Sequence, residues 1–208
     1  MALLKFPALI IKTPPKLIDI KFLASVITKS CAATVFLNDA CGLNSFLTKN
    51  SLDAELKRGL DYGLVVHLRD RGGDALASDI ISAAEMNFKF LYLAEPGRGS
   101  KPAVSGISSC SFISETKKKY AAKFKIIVQN CFLHKNDEEL LGMQFECGAD
   151  LAAAAPAARP EILSKYEGRT VILKSLTAVE LESAAFSGCE TGALYELDYS
   201  SDTLEGLI

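Results

Sequence analysis

Val65 to Glu95 reads VVHLRDRGGDALASDIISAAEMNFKFLYLAE, and the fold follows from how this stretch is divided. Val65-Val66-His67-Leu68 is a short apolar run that turns polar. Arg69-Asp70-Arg71-Gly72-Gly73 then makes a charged turn. From Asp74 the spacing becomes helical, with Leu76, Ile80, Ile81 and Ala84 on one stripe, and Asp74 is the expected N-cap. Phe88 to Leu93 (FKFLYL) is a second apolar run of strand length. Strand, helix and strand make one βαβ unit. Both strands then end on the same side, where charged residues collect.

The same unit recurs on either side. Toward the N-terminus, Pro7–Lys12 (PALIIK) reads as a buried strand stopped by Pro14-Pro15, Leu17–Thr28 as an amphipathic helix, Ala33–Leu37 as a strand, and Ser51–Leu60 as a helix capped by Ser51. Toward the C-terminus, Glu95–Ser111 is dense in Gly, Pro and Ser and reads as a long loop. Helices follow at Ser114–Lys123, Asp137–Cys147, Arg159–Tyr166 and Ala178–Gly188. They alternate with strands at Lys125–Val128, Leu151–Ala155, Arg169–Lys174 and Ala193–Asp198. Apolar strands alternating with helices predict a parallel sheet covered on both faces, and eight of them predict a single (β/α)8 TIM-type barrel domain over residues 1–208. An open doubly wound sheet is the alternative, weakened by the lack of G-x-G-x-x-G after the first strand.

Composition narrows the classes of function. With 23 basic against 25 acidic residues and a net charge of -2, nothing supports a nucleic-acid partner held by a basic surface. Lys117-Lys118-Lys119 reads as a solvated helix face. No stretch reaches the roughly 18 to 20 apolar residues of a membrane span, and no charged leader precedes an apolar core, so a cytoplasmic location is expected. The six cysteines show no C-x-x-C spacing and no zinc-finger offset from His67 or His134. Cys31, Cys131 and Cys147 are expected to be buried reduced thiols.

In a parallel barrel, function sits at the C-terminal ends of the strands. In chain order those ends carry Lys12 and Thr13; Asn38 and Asp39; His67, Arg69, Asp70 and Arg71; Glu95 and Arg98; Gln129 and Asn130; only Ala153, Ala154 and Ala155 after the sixth strand; Lys174, Ser175 and Thr177; and Glu196 with Asp198. Cations and carboxylates mixed at one rim can bind an anion and move protons.

Three stretches in order carry a family resemblance: Pro14-Pro15-Lys16, His67-Leu68 with Arg69-Asp70-Arg71 running on to Leu93-Ala94-Glu95-Pro96, and Glu146-Cys147-Gly148-Ala149-Asp150. Over Pro7–Tyr166 the sequence resembles the methylenetetrahydrofolate reductase family. The resemblance implies a TIM barrel that binds FAD and reduces a methylene-pterin (folate) substrate in one-carbon metabolism. It implies Glu95, His67 and Lys12 as catalytic residues, and His67, Arg69, Asp70, Arg98 and Asn130 as the flavin contacts. Where the family carries its general acid, this sequence has Ile11, and where it carries Thr-Gln, this sequence has Ala154-Ala155. Two alternatives therefore stand beside the reductase: a non-catalytic partner subunit of a C1-metabolism complex or homo-oligomer, and another TIM-barrel enzyme acting on a small anionic substrate.

Overall fold

The computed structural model describes residues 4–14, 16–39, 44–68, 71–94, 106–120, 122–130, 135–177 and 193–198. Among these lie eight strands: β1 (Ala8–Lys12), β2 (Thr34–Asn38), β3 (Asp61–His67), β4 (Phe90–Ala94), β5 (Lys125–Asn130), β6 (Leu151–Ala154), β7 (Thr170–Thr177) and β8 (Ala193–Asp198). The helices are α1 (Ile20–Lys29, entered through a short 3-10 turn at Leu17–Asp19), α2 (Ser45–Leu56), α3 (Gly73–Glu85), α4 (Ser109–Tyr120), α5 (Lys135–Glu146) and α6 (Pro160–Lys165). The strands close in sequence order into a barrel, with β1 pairing both β2 and β8 in parallel, as the sequence pattern predicts. The expected helix at Ala178–Gly188 lies outside the described residues.

Strands buried from both sides explain the unbroken apolar runs. Leu9, Ile11, Val35, Phe36 and Leu37 are fully buried, as are Leu91, Ile126, Ile127 and Val128. Backbone contacts divide the chain into two compact units. One holds Tyr62–Ile172, and the other holds Leu4–Asp61 with the chain from Leu173 onward. In the second unit, Arg58 reaches back to the carbonyls of Ile27 and Ala32, at 2.9 and 3.3 Å, and so ties the end of α2 to that of α1.

In the first unit a polar fastener sets the start of β5 against that of β6. The Asp150 carboxylate accepts from Lys117 Nζ at 2.6 Å, Lys125 Nζ at 2.7 Å and the Ile126 backbone N–H at 2.8 Å. Burial pushes this carboxyl up, but the three hydrogen bonds together outweigh it and hold the group below its ordinary value. Gly148, two residues before, sits at φ +108°, where a Cβ would come within 3.0 Å of Lys117 Cγ. Lys117 is thus an ion-pair residue and not part of a solvated face.

Several helix starts differ from the sequence expectation. The cap of α2 is Asn44, whose side chain accepts from Phe46 N at 2.8 Å. Ser51 lies inside that helix and returns its hydroxyl to Leu47 O at 3.0 Å. The N-cap of α3 is Gly72, and Asp74 stands in the first turn, where its charge favours the helix dipole without a capping hydrogen bond. Ser108 caps α4 by accepting from Ser111 N at 3.1 Å, so this helix begins five residues earlier than expected. Cys31 is exposed, at φ +52° just past α1, and is not the buried thiol its neighbours suggested.

Candidate functional site at the strand ends

Register decides which strand-end residues share a face. In an in-register parallel pair, partners point the same way, and so do residues two apart along a strand. In the unit built on β8, β1 and β2, Lys12 pairs with Asn38 and Ile10 pairs with Glu196. Lys12, Asn38 and Glu196 therefore lie on one face of three adjacent strands, with Glu196 one side-chain step below Lys12. Asn38 is buried, while Lys12 and Glu196 are partly exposed. Next along the chain, Thr13 donates its N–H to Asn38 O at 2.7 Å, and its buried hydroxyl has no hydrogen-bond partner among the described residues. Ser45 anchors the start of α2 to the end of β2 through Leu37 O at 3.4 Å. A cation, an amide and a carboxylate are thus held by neighbouring strands.

In the unit containing β3 to β6, His67 pairs with Ala94, Leu93 with Val128, and Gln129 with Ala153. His67, Ala94, Gln129 and Ala153 share a face, and His67 and Gln129 are each partly exposed. Asn130 lies on the opposite face. Its side-chain amide donates to Asp137 O at 2.9 Å, pinning the first turn of α5.

Of the residues expected from sequence, Lys12, His67 and Asn130 are described, while Glu95, Arg69, Asp70 and Arg98 lie outside the described residues. Lys12 belongs to one compact unit, and His67 and Asn130 to the other. The last two stand on opposite faces, so a common ligand contact for that pair is not what the strands build. The sequence places Glu196 with Lys12 and His67 among the residues able to face one mouth, and it places Asn38 and Gln129 at strand ends without singling them out. The missing signal was the register that groups them.

The sequence matches no protein-family model and no curated protein. Solved structures do resemble it. 2,3-Dimethylmalate lyase, a PEP mutase/isocitrate lyase superfamily member, superposes with a TM-score of 0.62 at 9% identity over 96% of this chain and 77% of that one. Oxaloacetate acetylhydrolase in complex with the product oxalate gives 0.60 at 10% identity, over 96% and 78%. Phosphonopyruvate hydrolase in complex with oxalate and Mg2+ gives 0.58 at 10% identity, over 96% and 77%. At these identities the likeness establishes the fold, a TIM-type barrel.

These neighbours correct the resemblance to methylenetetrahydrofolate reductase. The reading as a flavin-dependent oxidoreductase of one-carbon metabolism falls with it, together with FAD and the pterin substrate. The physical reason is already in the strands. Ile11 and Ala154 are fully buried apolar side chains that offer neither a proton nor a hydrogen bond where the reductase reading needed both.

Mg2+, which accompanies oxalate in one neighbour, requires oxygen ligands, carboxylates above all. Among the described residues no group of three His, Cys, Asp or Glu is placed to hold a metal ion. Nor is any described helix long and apolar enough to cross a membrane.

Proposed function

We propose that this chain is a barrel enzyme acting on a small anionic substrate bound at the C-terminal ends of its strands. The observation that carries the reading is the placement of Lys12, Asn38 and Glu196 on one face of β1, β2 and β8. In this reading the Lys12 ammonium attracts a carboxylate or phosphate oxygen. The Asn38 amide fixes its orientation, and the Glu196 carboxylate takes or returns a proton as general base or acid. Lys174, expected from the sequence at a strand end, is the fifth of the eight residues of β7 and is offered as a second cation.

The fold neighbours point to the ligands worth trying first. They include a lyase of a malate derivative and hydrolases crystallised with oxalate, so small dicarboxylates and 2-oxo acids lead. In the other compact unit, His67 at the end of β3 is offered as a separate anion-contacting residue. Arg69, Asp70, Glu95 and Arg98 follow β3 and β4 in sequence and join the proposal with two charges of suitable sign for anion binding, Arg69 and Arg98, and two further candidate acid–base groups, Asp70 and Glu95. Asn130 enters it as the residue that holds α5 in place. The proposal takes residues 1–208 as one domain. It places the protein in the cytoplasm, a location supported by the free state of Cys31, Cys110 and Cys147.

Thermal-shift and calorimetric titrations with oxalate, pyruvate and inorganic phosphate test the reading. A ligand at 100 times its dissociation constant adds about 2.7 kcal/mol to stability. Lys12→Met is expected to lose most of that gain. A protein whose melting temperature ignores every small carboxylate and phosphate tried would overturn the proposal.

A further inference from the structure

We infer that Gln129 is a substrate-contacting residue, donating a hydrogen bond to a carbonyl or carboxylate oxygen of a small 2-oxo acid or dicarboxylate. The inference rests on the reading that the strand ends bind a small anion, and it adds a residue and a bonding mode to it.

Three observations converge on this side chain. The first is direction. Asn130 turns to α5, so the alternation of β5 sends Gln129 to the other face, which it shares with His67. The second is space. The residues flanking Gln129 on that face are Ala94 and Ala153, so no bulky neighbour on β4 or β6 fills the position beside the amide at this level. The third is an unspent group. Gln129 is partly buried at the end of a strand whose three preceding residues are fully buried, yet its side chain has no hydrogen-bond partner among the described residues. Asn130, the next residue, has its partner in Asp137 O. An amide carries a donor and an acceptor without charge, which suits a planar oxygen of a carboxylate or ketone and orients it. His67, two strands away on the same face, can address a second oxygen of the same ligand.

The bland alternative is a glutamine hydrated by water, and the two readings part in one experiment. Gln129→Leu and Gln129→Glu are titrated calorimetrically with oxalate and with pyruvate, and each variant is melted without ligand. Because the Gln129 side chain has no hydrogen-bond partner among the described residues, Gln129→Leu is expected to melt within about 2 °C of the parent, the shift that well under 1 kcal/mol produces in a chain of this size. Its affinity for oxalate is expected to fall about tenfold, the loss of one hydrogen bond to a charged group. Gln129→Glu is expected to bind more weakly still, because it sets a carboxylate against a carboxylate. Parental affinity in both variants overturns the inference while leaving the anion-binding reading intact. A large drop in unliganded melting temperature also overturns it, by marking Gln129 as a structural residue. If the unsubstituted protein binds neither oxalate nor pyruvate, the broader reading fails and this inference fails with it.

Discussion

Asp150→Asn is expected to be among the most damaging polar substitutions in this barrel, although it lies at the strand starts, away from the proposed site. The carboxylate accepts two ammonium hydrogen bonds, at 2.6 and 2.7 Å, and one backbone hydrogen bond at 2.8 Å. An asparagine keeps one acceptor oxygen, enough for Ile126 N, but leaves Lys117 and Lys125 without their counter-charge. Hydrogen bonds to charged groups contribute about 1.5–3 kcal/mol each, and breaking a buried pair by removing one partner costs about 3–5 kcal/mol. The side chains of Lys117, Lys125 and Asp150 retain 20%, 16% and 18% exposure, so water recovers part of the loss. A net cost of about 3 kcal/mol follows, or a melting temperature lower by about 6–12 °C for a chain of this length.

The dependence on pH gives this prediction a second, independent edge. The folded-state value of the carboxyl is lowered, so its contribution is complete above the unfolded value, near 3.9, and is lost as pH falls through the folded value. Calorimetric melts of parent and variant from pH 7 to pH 3 should therefore show a wide gap that holds at neutral pH and begins to close below about pH 4. Lys125→Met combined with Asp150→Asn should cost less than the sum of the two single changes, by about 1–2 kcal/mol. A variant that melts with the parent at pH 7, or a gap unchanged at pH 3, would refute the assignment of Asp150 as the fastener of β5 to β6.

Other perturbations follow from the same geometry. Gly148→Ala forces a side chain onto φ +108° and against Lys117, and should cost about 1–3 kcal/mol in a denaturant titration, the range for a strained backbone site. Arg169 lies with its guanidinium 3.6 Å from the Phe145 ring centre and donates to Ala149 O at 2.7 Å; Arg169→Lys loses the flat stack and is expected to cost about 1 kcal/mol by chemical unfolding. Lys165 and Glu138 form an exposed pair at 2.7 Å, and Lys165→Ala should leave the melting temperature unchanged at 150 mM salt. Lys12→Met should weaken oxalate binding at least about tenfold in calorimetry, with the anion's attraction lost and the strand retained.

The barrel was legible because each strand is an apolar run too long for a loop and too short for a helix, and each but the last is followed by a helical stripe in the sequence. Element starts were less legible where polar side chains have two uses. Ser51 has the chemistry of a cap but bonds backward inside α2, and Ser108 caps α4 from within a stretch that reads as a loop. The reductase resemblance failed for a related reason. One of the stretches that carried it, Gly148-Ala149-Asp150, is a structural device: a glycine at positive φ, a buried alanine, and an aspartate that ties Lys117, Lys125 and the backbone of β5 together. A turn that starts a barrel strand says nothing of the chemistry at the strand's other end.

The site was harder to read than the fold because burial on both faces erases the alternation that would reveal direction. In KIIVQN, Ile126, Ile127 and Val128 are all fully buried, so no pattern in the letters separates the face of Gln129 from that of Asn130. Both are amides at a strand end, and sequence alone gives them equal claim. The hydrogen bond from Asn130 to Asp137 O breaks the tie: one amide is spent on the scaffold, and the other is left facing the side that His67 shares. The same logic applies to β1, where Lys12 and Thr13 are adjacent letters. Pairing with Asn38, and with Glu196 through Ile10, puts Lys12 in a group of three polar residues. Register, which depends on residues far apart in the chain, is what turns a rim of polar letters into a site with sides. The substitution at Lys12 accordingly tests the anion-binding reading, and those at Gln129 test the added contact alone.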